Sequence, residues 1–465
     1  MTVTLSVLAL LALQVLAVLC AWRAIQGART PQGAVGWVVA LLAAPYVSVL
    51  IYLFLGHHRY HAYLVSRRSS ARVIDAVKQF ALARGPSIRP SVNTEPFEKI
   101  AALPVVGGNA LIPLIDGAET FGAIFDAIDQ AERYVLVQFF IVHNDRIGQS
   151  FCDKLSAAAQ RGVTVRFMTD AVGSKGLSHS FYQTLRAAGV QVADPRPKHR
   201  FALNFRNHRK TVIVDGVVGF TGGLNVGDEY MGRDPTFGAW RDTHVKLVGP
   251  VVSQLQLAYL EDWHWSTAEQ IASELNWDAP LSDADMAGLV VPTGPGDELE
   301  TGGLFFFSAI AAAQERIWIA SPYCVPDTDI LSALKHAALS GKDVRLLVPD
   351  VIDHYIPWLA AFAYFDELRE AGVQIWRYTE GFMHQKVVLV DDTFAAIGTS
   401  NLDNRSFRLN FEVMAVGFDT AFTAQVAGFL EQDFARAHLL EKDLSEQPLR
   451  IRVGAPISRL FAPLL

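Results

Sequence analysis

Two stretches of this chain, Asn207-His-Arg-Lys-Thr-Val-Ile-Val-Asp-Gly216 and Met383-His-Gln-Lys-Val-Val-Leu-Val-Asp391, carry histidine, lysine and aspartate in the same order, H-x-K-x4-D. After six intervening residues each is followed by a glycine-led turn that ends in asparagine, Gly222-Gly-Leu-Asn225 and Gly398-Thr-Ser-Asn401. Three positions recur by accident in a long chain, but two copies with the same downstream glycine and asparagine mark a repeat. The chain is therefore expected to fold as two related halves, with both motifs contributing to one active site.

The text around the motifs repeats as well. Phe125-Asp-Ala-Ile-Asp-Gln-Ala-Glu-Arg-Tyr-Val-Leu-Val137 is echoed by Phe307-Ser-Ala-Ile-Ala-Ala-Ala-Gln-Glu-Arg-Ile-Trp-Ile319, a helical pattern running into an apolar strand. Ala158-Ala-Gln-Arg-Gly-Val-Thr-Val-Arg166 pairs with Ala337-Ala-Leu-Ser-Gly-Lys-Asp-Val-Arg345, and Leu185-Arg-Ala-Ala-Gly-Val-Gln-Val192 with Leu368-Arg-Glu-Ala-Gly-Val-Gln-Ile375, each a helix stopped by glycine before a strand. Helix alternating with strand predicts an α/β fold of two pseudo-repeated lobes whose mixed, parallel-rich sheets are flanked by helices. The lobes are expected at 105–275 and 304–440, joined by a Pro-, Gly- and Asp-rich linker at 276–303 whose clearest part is Val291-Pro-Thr-Gly-Pro-Gly-Asp297. A tail at 441–465, with alternating apolar residues, has no legible role.

The N-terminal residues 1–58 predict a two-helix transmembrane hairpin. No charged side chain occurs from Met1 to Trp22 or from Thr30 to Gly56, and each stretch is long enough to cross a hydrocarbon core of about 30 Å. The first lacks the basic leader and small-residue cleavage site of a signal peptide. Arg59, Arg67, Arg68, Arg72 and Lys78 follow the second stretch while only Arg23 and Arg29 lie between the two, so both ends of the hairpin, and with them the lobes that follow, are expected on the cytoplasmic side of the membrane. In the connector at 59–104, Tyr60 to Arg84 mixes apolar and basic residues as either a surface-lying amphipathic helix or an ordinary connector. His57, His58 and His61 read as interfacial side chains rather than a metal cluster. Three cysteines far apart, Cys20, Cys152 and Cys324, offer neither a disulfide framework nor a thiolate site, and a net charge of −7 disfavours nucleic acid as a partner.

Residues two apart on a strand point the same way, so His208 with Lys210 and His384 with Lys386 would project in pairs. Two imidazoles and two ammonium groups suit a phosphodiester: one histidine attacks phosphorus, the other protonates the leaving alkoxide, and the lysines hold the non-bridging oxygens. Asn225 and Asn401 can donate to the same oxygens, while Asp215 and Asp391 fall at strand ends. Glu412, after the second motif, and Asp242, from the first half, are the candidates for orienting the histidines. The lysines would repel a cation and no compact acidic cluster accompanies the histidines, so the expected chemistry uses no metal and no cofactor.

These elements resemble the phospholipase D superfamily, and over nearly the whole chain they are similar to its bacterial cardiolipin synthases. The matching stretches are Thr30-Pro-Gln-Gly-Ala-Val-Gly-Trp37, Asn207-His-Arg-Lys210, Gly222-Gly-Leu-Asn-Val-Gly-Asp-Glu-Tyr230, Trp240-Arg-Asp-Thr-His244, Ser321-Pro-Tyr-Cys-Val-Pro-Asp327 and Asn401-Leu-Asp-Asn-Arg-Ser-Phe407. Departures are small: Cys324 stands where an aromatic is common, and Thr399 where serine is frequent. The resemblance implies a membrane-bound phosphatidyltransferase in which His208, Lys210, Asp215, His384, Lys386 and Asp391 are catalytic. It implies a phosphatidyl-histidine intermediate and the joining of two phosphatidylglycerols into cardiolipin with release of glycerol. By the same analogy His208 is the nucleophile and His384 the acid and base, which the residues alone do not distinguish. Hydrolysis by a membrane-bound phospholipase D, and a non-catalytic membrane scaffold, are the alternatives.

Overall fold

A computed structural model describes residues 2–27, 30–56, 84–87, 89–193 and 204–465. The histidines at 57, 58 and 61 and nearly all of the amphipathic stretch from Tyr60 to Arg84 lie outside the described residues.

The N-terminal region forms α1 (Thr2–Gly27), α2 (Pro31–Ala43) and α3 (Pro45–Leu55). At 26 residues, α1 is about 39 Å long, enough to cross a bilayer. Instead of one second spanning helix, the chain breaks at Ala44, with φ −137° and ψ 59°. Pro45 is the cause, since it has no N–H for the carbonyl one turn back and disfavours helical geometry in the residue before it. The Ser48 hydroxyl sits in the break and donates to the Ala40 carbonyl at 2.7 Å. Ala17, Cys20, Ala21 and Ala24 recur along one face of α1 and are buried with Leu41, Val49 and Tyr52. Small residues let the helix backbones approach closely, as in membrane helix pairs. The opposite faces expose Leu8, Leu11, Val15, Leu19, Val39, Tyr46 and Leu50.

The first repeat comprises α4 (Glu95–Ala101), β1 (Val106–Ile115), α5 (Asp116–Asp129), β2 (Tyr134–Phe139), α6 (Arg146–Gln160), β3 (Thr164–Thr169), α7 (His179–Ala187) and β4 (Gln191–Val192). It continues through β5 (Arg206–Asn207), β6 (Thr211–Val214), β7 (Val218–Gly222), β8 (Trp240–Arg241), β9 (Thr243–Val248) and α8 (Val251–Thr267). The second opens with β10 (Met286–Thr293), α9 (Thr301–Ala312), β11 (Arg316–Ala320), β12 (Cys324–Val325), α10 (Thr328–Leu339), β13 (Asp343–Pro349), α11 (Tyr355–Glu370) and β14 (Gln374–Tyr378). Then come β15 (Phe382–Met383), β16 (Val387–Val390), β17 (Phe394–Gly398), β18 (Leu402–Asp403), α12 (Asn404–Arg408), β19 (Asn410–Gly417), α13 (Thr420–Ala435), β20 (Ala437–Leu439) and α14 (Leu449–Arg459).

One continuous sheet joins the halves. From its central seam, β10-β19-β17-β16-β11-β13-β14 on one side repeats β1-β9-β7-β6-β2-β3-β4 on the other, and the antiparallel β1–β10 pair forms the seam. The expected linker at 276–303 therefore contains a central strand. Glycine and proline misread as linker because the proline is harmless here: Val413, opposite Pro292, turns its N–H and C=O to Thr399 on its other side, so the missing Pro292 N–H leaves no β19 acceptor unpaired. The sheet is mixed but less parallel than its helices suggest. Parallel pairing within each half's sheet is confined to β2–β3–β4 and β11–β13–β14, and β6-β7-β9 and β16-β17-β19 are antiparallel meanders. Short turns such as Asp215-Gly216, with φ 55° and 69°, can join only antiparallel neighbours.

Candidate active site

The H-x-K triplets do not sit on regular strands. Each is an extended link where the chain leaves a short pairing with the opposite half and enters its own sheet. β5 pairs with β19 of the second half before the chain turns into β6, and β15 pairs with β8 of the first half before β16. The crossing continues into the histidines, whose backbone amides donate to Phe411 and Arg241: His208 N–H to the Phe411 carbonyl at 2.9 Å and His384 N–H to that of Arg241 at 2.8 Å.

The middle residue of each triplet points the other way and anchors the link. Arg209 pairs with Asp262 of α8 at 2.9 Å, and Gln385 donates to Asp433 of α13 at 2.8 Å. With that side fastened, histidine and lysine share the opposite face, as their spacing predicts. All four are buried, and Lys210 and Lys386 each donate to the carbonyl of their own histidine, Lys210 at 2.7 Å.

The orienting carboxylates are exchanged between halves. Glu412, on β19, accepts from Nδ1 of His208 at 2.9 Å, and Asp242, between β8 and β9, accepts from Nδ1 of His384 at 2.8 Å. A carboxylate only accepts, so in each neutral ring Nδ1 carries the proton and Nε2 keeps its lone pair. The exchange follows from the crossed strands, since β19 passes beside the first motif and β8 beside the second.

The two carboxylates differ in their support. Glu412 accepts from the Thr399 hydroxyl at 2.6 Å and the Asn410 amide at 3.1 Å. Burial would raise it, but His208, Lys210 and Thr399 hold it below the usual carboxylate range. Where the second half has Thr399 the first has Gly223, and a Cβ there would stand 1.9 Å from Asp242 Oδ1. Asp242 keeps contacts from the Thr243 N–H at 2.8 Å and the Trp240 indole at 3.4 Å, and burial pushes it up. Burial also lowers both histidines. His208 is partly compensated by Glu412, whereas His384, further opposed by Lys386, Lys210 and His208, falls well below the usual value. Lys386 is brought down to about 8 by burial, and Lys210 well below its usual value. That each site's charges act on the other places the four groups in one electrostatic neighbourhood.

The motif aspartates, expected in the catalytic set, lie away from the two imidazoles. Asp215 and Asp391 stand at the far ends of β6 and β16, beyond a four-residue strand of about 13 Å. Asp215 accepts from the backbone N–H groups of Glu132, Arg133 and Tyr134 at 2.8–2.9 Å. Asp391 accepts from those of Gln314, Glu315 and Arg316 at the same distances. Both sew the start of a neighbouring strand to a turn.

Asn225 and Asn401 are buried and already engaged. Asn225 accepts from the Ile141 N–H at 3.1 Å and donates to the Tyr230 hydroxyl at 3.1 Å. Asn401 donates to Asp403 at 3.2 Å, and its Oδ1 has no hydrogen-bond partner. Each amide has a second N–H, so a phosphate contact remains open to both.

Residues without an expected role complete the surroundings. Phe140 stands edge-on to His208 at 5.0 Å with Lys210 over its ring at 5.5 Å, while Trp240, Phe382 and Tyr230 lie 5.3, 5.9 and 6.4 Å from the His384 ring. His244 is pushed down to about 3 by burial, and its neutral Nδ1 accepts from the Leu224 N–H at 3.3 Å, steadying the turn that carries Asn225. Tyr323 donates to Asp353, whose charge acts on His384. Tyr230, Trp240 and Tyr323 stood within recognisable stretches, but Asp353 lies in a loop with no periodicity to reveal it. Among the described residues no three of His, Cys, Asp and Glu converge as metal ligands would.

With this geometry in place, the chain can be set beside known proteins. A family profile described as "Cardiolipin synthase, PLD-like domain" matches residues 124–235 and 306–434, and one described as "Phospholipase_D-nuclease N-terminal" matches 15–57. A Pseudomonas fluorescens protein named cardiolipin synthase A is 42% identical over 468 residues, covering 97% of each chain. A Pseudomonas syringae protein of that name is 42% identical over 453 residues, covering 94% of each. Among solved structures, the phosphatidylserine synthase of Haemophilus influenzae superposes with a TM-score of 0.60 at 16% identity, over 80% of this chain and 99% of that one, a likeness of fold.

Proposed function

Because this chain belongs to the cardiolipin synthase family of phospholipase D-like proteins, and is thus a membrane-associated phospholipid phosphatidyltransferase, we propose that it joins two phosphatidylglycerols into cardiolipin at the site shared by His208 and His384. The observation that carries the mechanism is the pair of crossed histidine–carboxylate contacts beside two buried lysines.

Nε2 of His208 attacks the phosphorus of one phosphatidylglycerol while Lys210 and Lys386 hold its non-bridging oxygens. His384 gives a proton to the departing glycerol oxygen, leaving phosphatidyl-His208 and free glycerol. The terminal hydroxyl of a second phosphatidylglycerol then attacks; His384 takes its proton, the P–N bond breaks, and cardiolipin forms with both histidines restored. Burial leaves both imidazoles neutral before substrate arrives, and the phosphodiester anion supplies the negative charge that lets His384 take up the proton it delivers. The scaffold alternative would leave no reason for both histidines and both lysines to be present and buried.

We further assign the N-terminal helices to two crossings, α1 and the proline-broken α2–α3 unit, with the catalytic body on the cytoplasmic side of a bacterial inner membrane. The basic residues after the second crossing support this orientation.

The test is incubation of the detergent-solubilised protein with phosphatidylglycerol labelled in its terminal glycerol. Cardiolipin with one equivalent of released glycerol is the expected result. Phosphatidic acid as main product would make the enzyme a hydrolase, and absence of turnover across several lipid mixtures would make it a scaffold.

The shifted groups also set the pH dependence. The neutral nucleophile is lost only below the usual imidazole range, while the phosphate-holding charge on Lys386 is lost as pH rises through about 8. The expected kcat/KM declines with rising pH through neutrality, because the free enzyme's His384 is neutral and must take up the proton it delivers, and declines more steeply above about 8, where the charge on Lys386 is lost as well. Lys386→Arg, which stays charged, moves the alkaline limb upward; an unmoved limb refutes the assignment.

A further inference from the structure

We infer that the outward face of α14 is a second membrane-contacting surface, which seats on an anionic phospholipid bilayer and holds the mouth of the active site against it. Leu449, Val453, Ile457 and Leu460 recur at i, i+4, i+8 and i+11 and are 71%, 53%, 54% and 78% exposed. Ile451, Ala455 and Ser458 on the opposite face are buried. A surface helix normally turns its polar side to water, and here the outward side is the apolar one. Its flanks are basic: Arg450 lies on one side and Arg452 and Arg459 on the other, which is the arrangement of a helix lying in an anionic interface. Arg459 is tied to Glu367 at 3.4 Å, and Arg450 and Arg452 have no intramolecular ion pair among the described residues.

The position of the helix connects this face to the site. α14 packs along α11, and Gly454 lies where a Cβ would come 2.9 Å from Leu359. The first turn of α11 exposes Tyr355 and Ile356 immediately after Asp353, the carboxylate acting on His384. At the other end the Arg405 guanidinium donates to the Leu464 carbonyl at 2.9 Å and to that of Asn204 at 3.1 Å, and Asn204 is four residues before His208. The C-terminal segment thus runs from the loop beside one histidine to the approach of the other. Both reactants are lipids whose acyl chains stay in the bilayer while a headgroup reaches a buried site, and an apolar, arginine-flanked rim gives them a dry path. The inference rests on membrane association and not on which alcohol accepts the phosphatidyl group.

The test uses the full chain in vesicles of phosphatidylglycerol and phosphatidylcholine, with an environment-sensitive fluorophore on Val453→Cys or Ile457→Cys and, off this face, on Lys442→Cys; the native cysteines are buried. Labels at 453 and 457 are expected to be quenched by lipids bearing a nitroxide on the acyl chain and protected from aqueous iodide, with the reverse at 442. Quenching by iodide at all three positions overturns the proposal. Protection from both quenchers with cross-linking of two chains through 453 also overturns it, making the face an interface between copies. The readout needs no turnover, so it succeeds or fails apart from the proposed reaction. As a second measurement, Val453→Glu with Ile457→Glu is expected to lower turnover at least tenfold on vesicles and leave it unchanged on phosphatidylglycerol dispersed in detergent micelles; equal turnover on both refutes the surface.

Discussion

His208→Ala and His384→Ala each lower turnover by at least about 10⁴-fold, in protein that stays folded and membrane-bound, because each removes a group that bonds to or moves a proton at the reacting centre. Glu412→Gln and Asp242→Asn, which keep the shape but cannot hold the Nδ1–H tautomer, lower kcat by about 10²–10⁴-fold. The crossed contacts make the double variants diagnostic. Glu412→Gln adds little to His208→Ala, since both act on one imidazole, and Asp242→Asn adds little to His384→Ala. Additivity within either pair would mean that the carboxylate does not work through that histidine. A phosphatidyl ester of p-nitrophenol separates the two roles, because its leaving group needs no proton. His384→Ala is expected to release nitrophenol from this ester and label His208, while His208→Ala is silent; the opposite outcome assigns the nucleophile to His384.

Asp215→Ala and Asp391→Ala have their large effect on stability. Each removes a carboxylate that accepts three backbone N–H groups, costing about 2–4 kcal/mol, and leaves alanine at a positive φ of 55° or 49°. For lobes of this size the loss lowers the apparent melting temperature by roughly 5–15 °C. Asparagine, which tolerates the left-handed conformation and still accepts, recovers part of the loss. The kcat of the folded fraction is expected to stay within about threefold of the parent, far from the effect of deleting a catalytic group. A kcat that collapses in Asp391→Asn without a fall in melting temperature would return the aspartate to the chemistry.

Much of this was legible in the chain. Doubling of the motif announced two halves and one site, because local repetition survives in sequence whatever the halves do in space. The helix-to-strand echoes at Phe125 and Phe307 gave the α/β class, and the uncharged stretches announced the membrane. The polarity of the sheet was harder to read: helices between strands signal parallel neighbours, but antiparallel pairings, the short meanders after each motif together with the strand pairs on either side of them, outnumber those in the sheet. The residues at 276–303 were hidden for a related reason. A proline in a central strand is rare, and only the observation that Val413 turns its hydrogen bonds away from Pro292 shows why it is tolerated.

The sequence by itself determined the chemical inventory: two histidines, two lysines, two candidate carboxylates and two uncharged N-terminal stretches, since residue type and spacing are properties of the chain. The tertiary structure decided which carboxylate serves which histidine, and it decided against the aspartates as neighbours of the reacting groups. The physical reason is that strand pairing brings together residues 204 and 142 positions apart, 208 with 412 and 242 with 384, through backbone hydrogen bonds that leave no local periodicity. Aspartate, in contrast, sits only five residues from lysine, yet an extended strand carries it to the opposite end of that strand, where three backbone amides bind it.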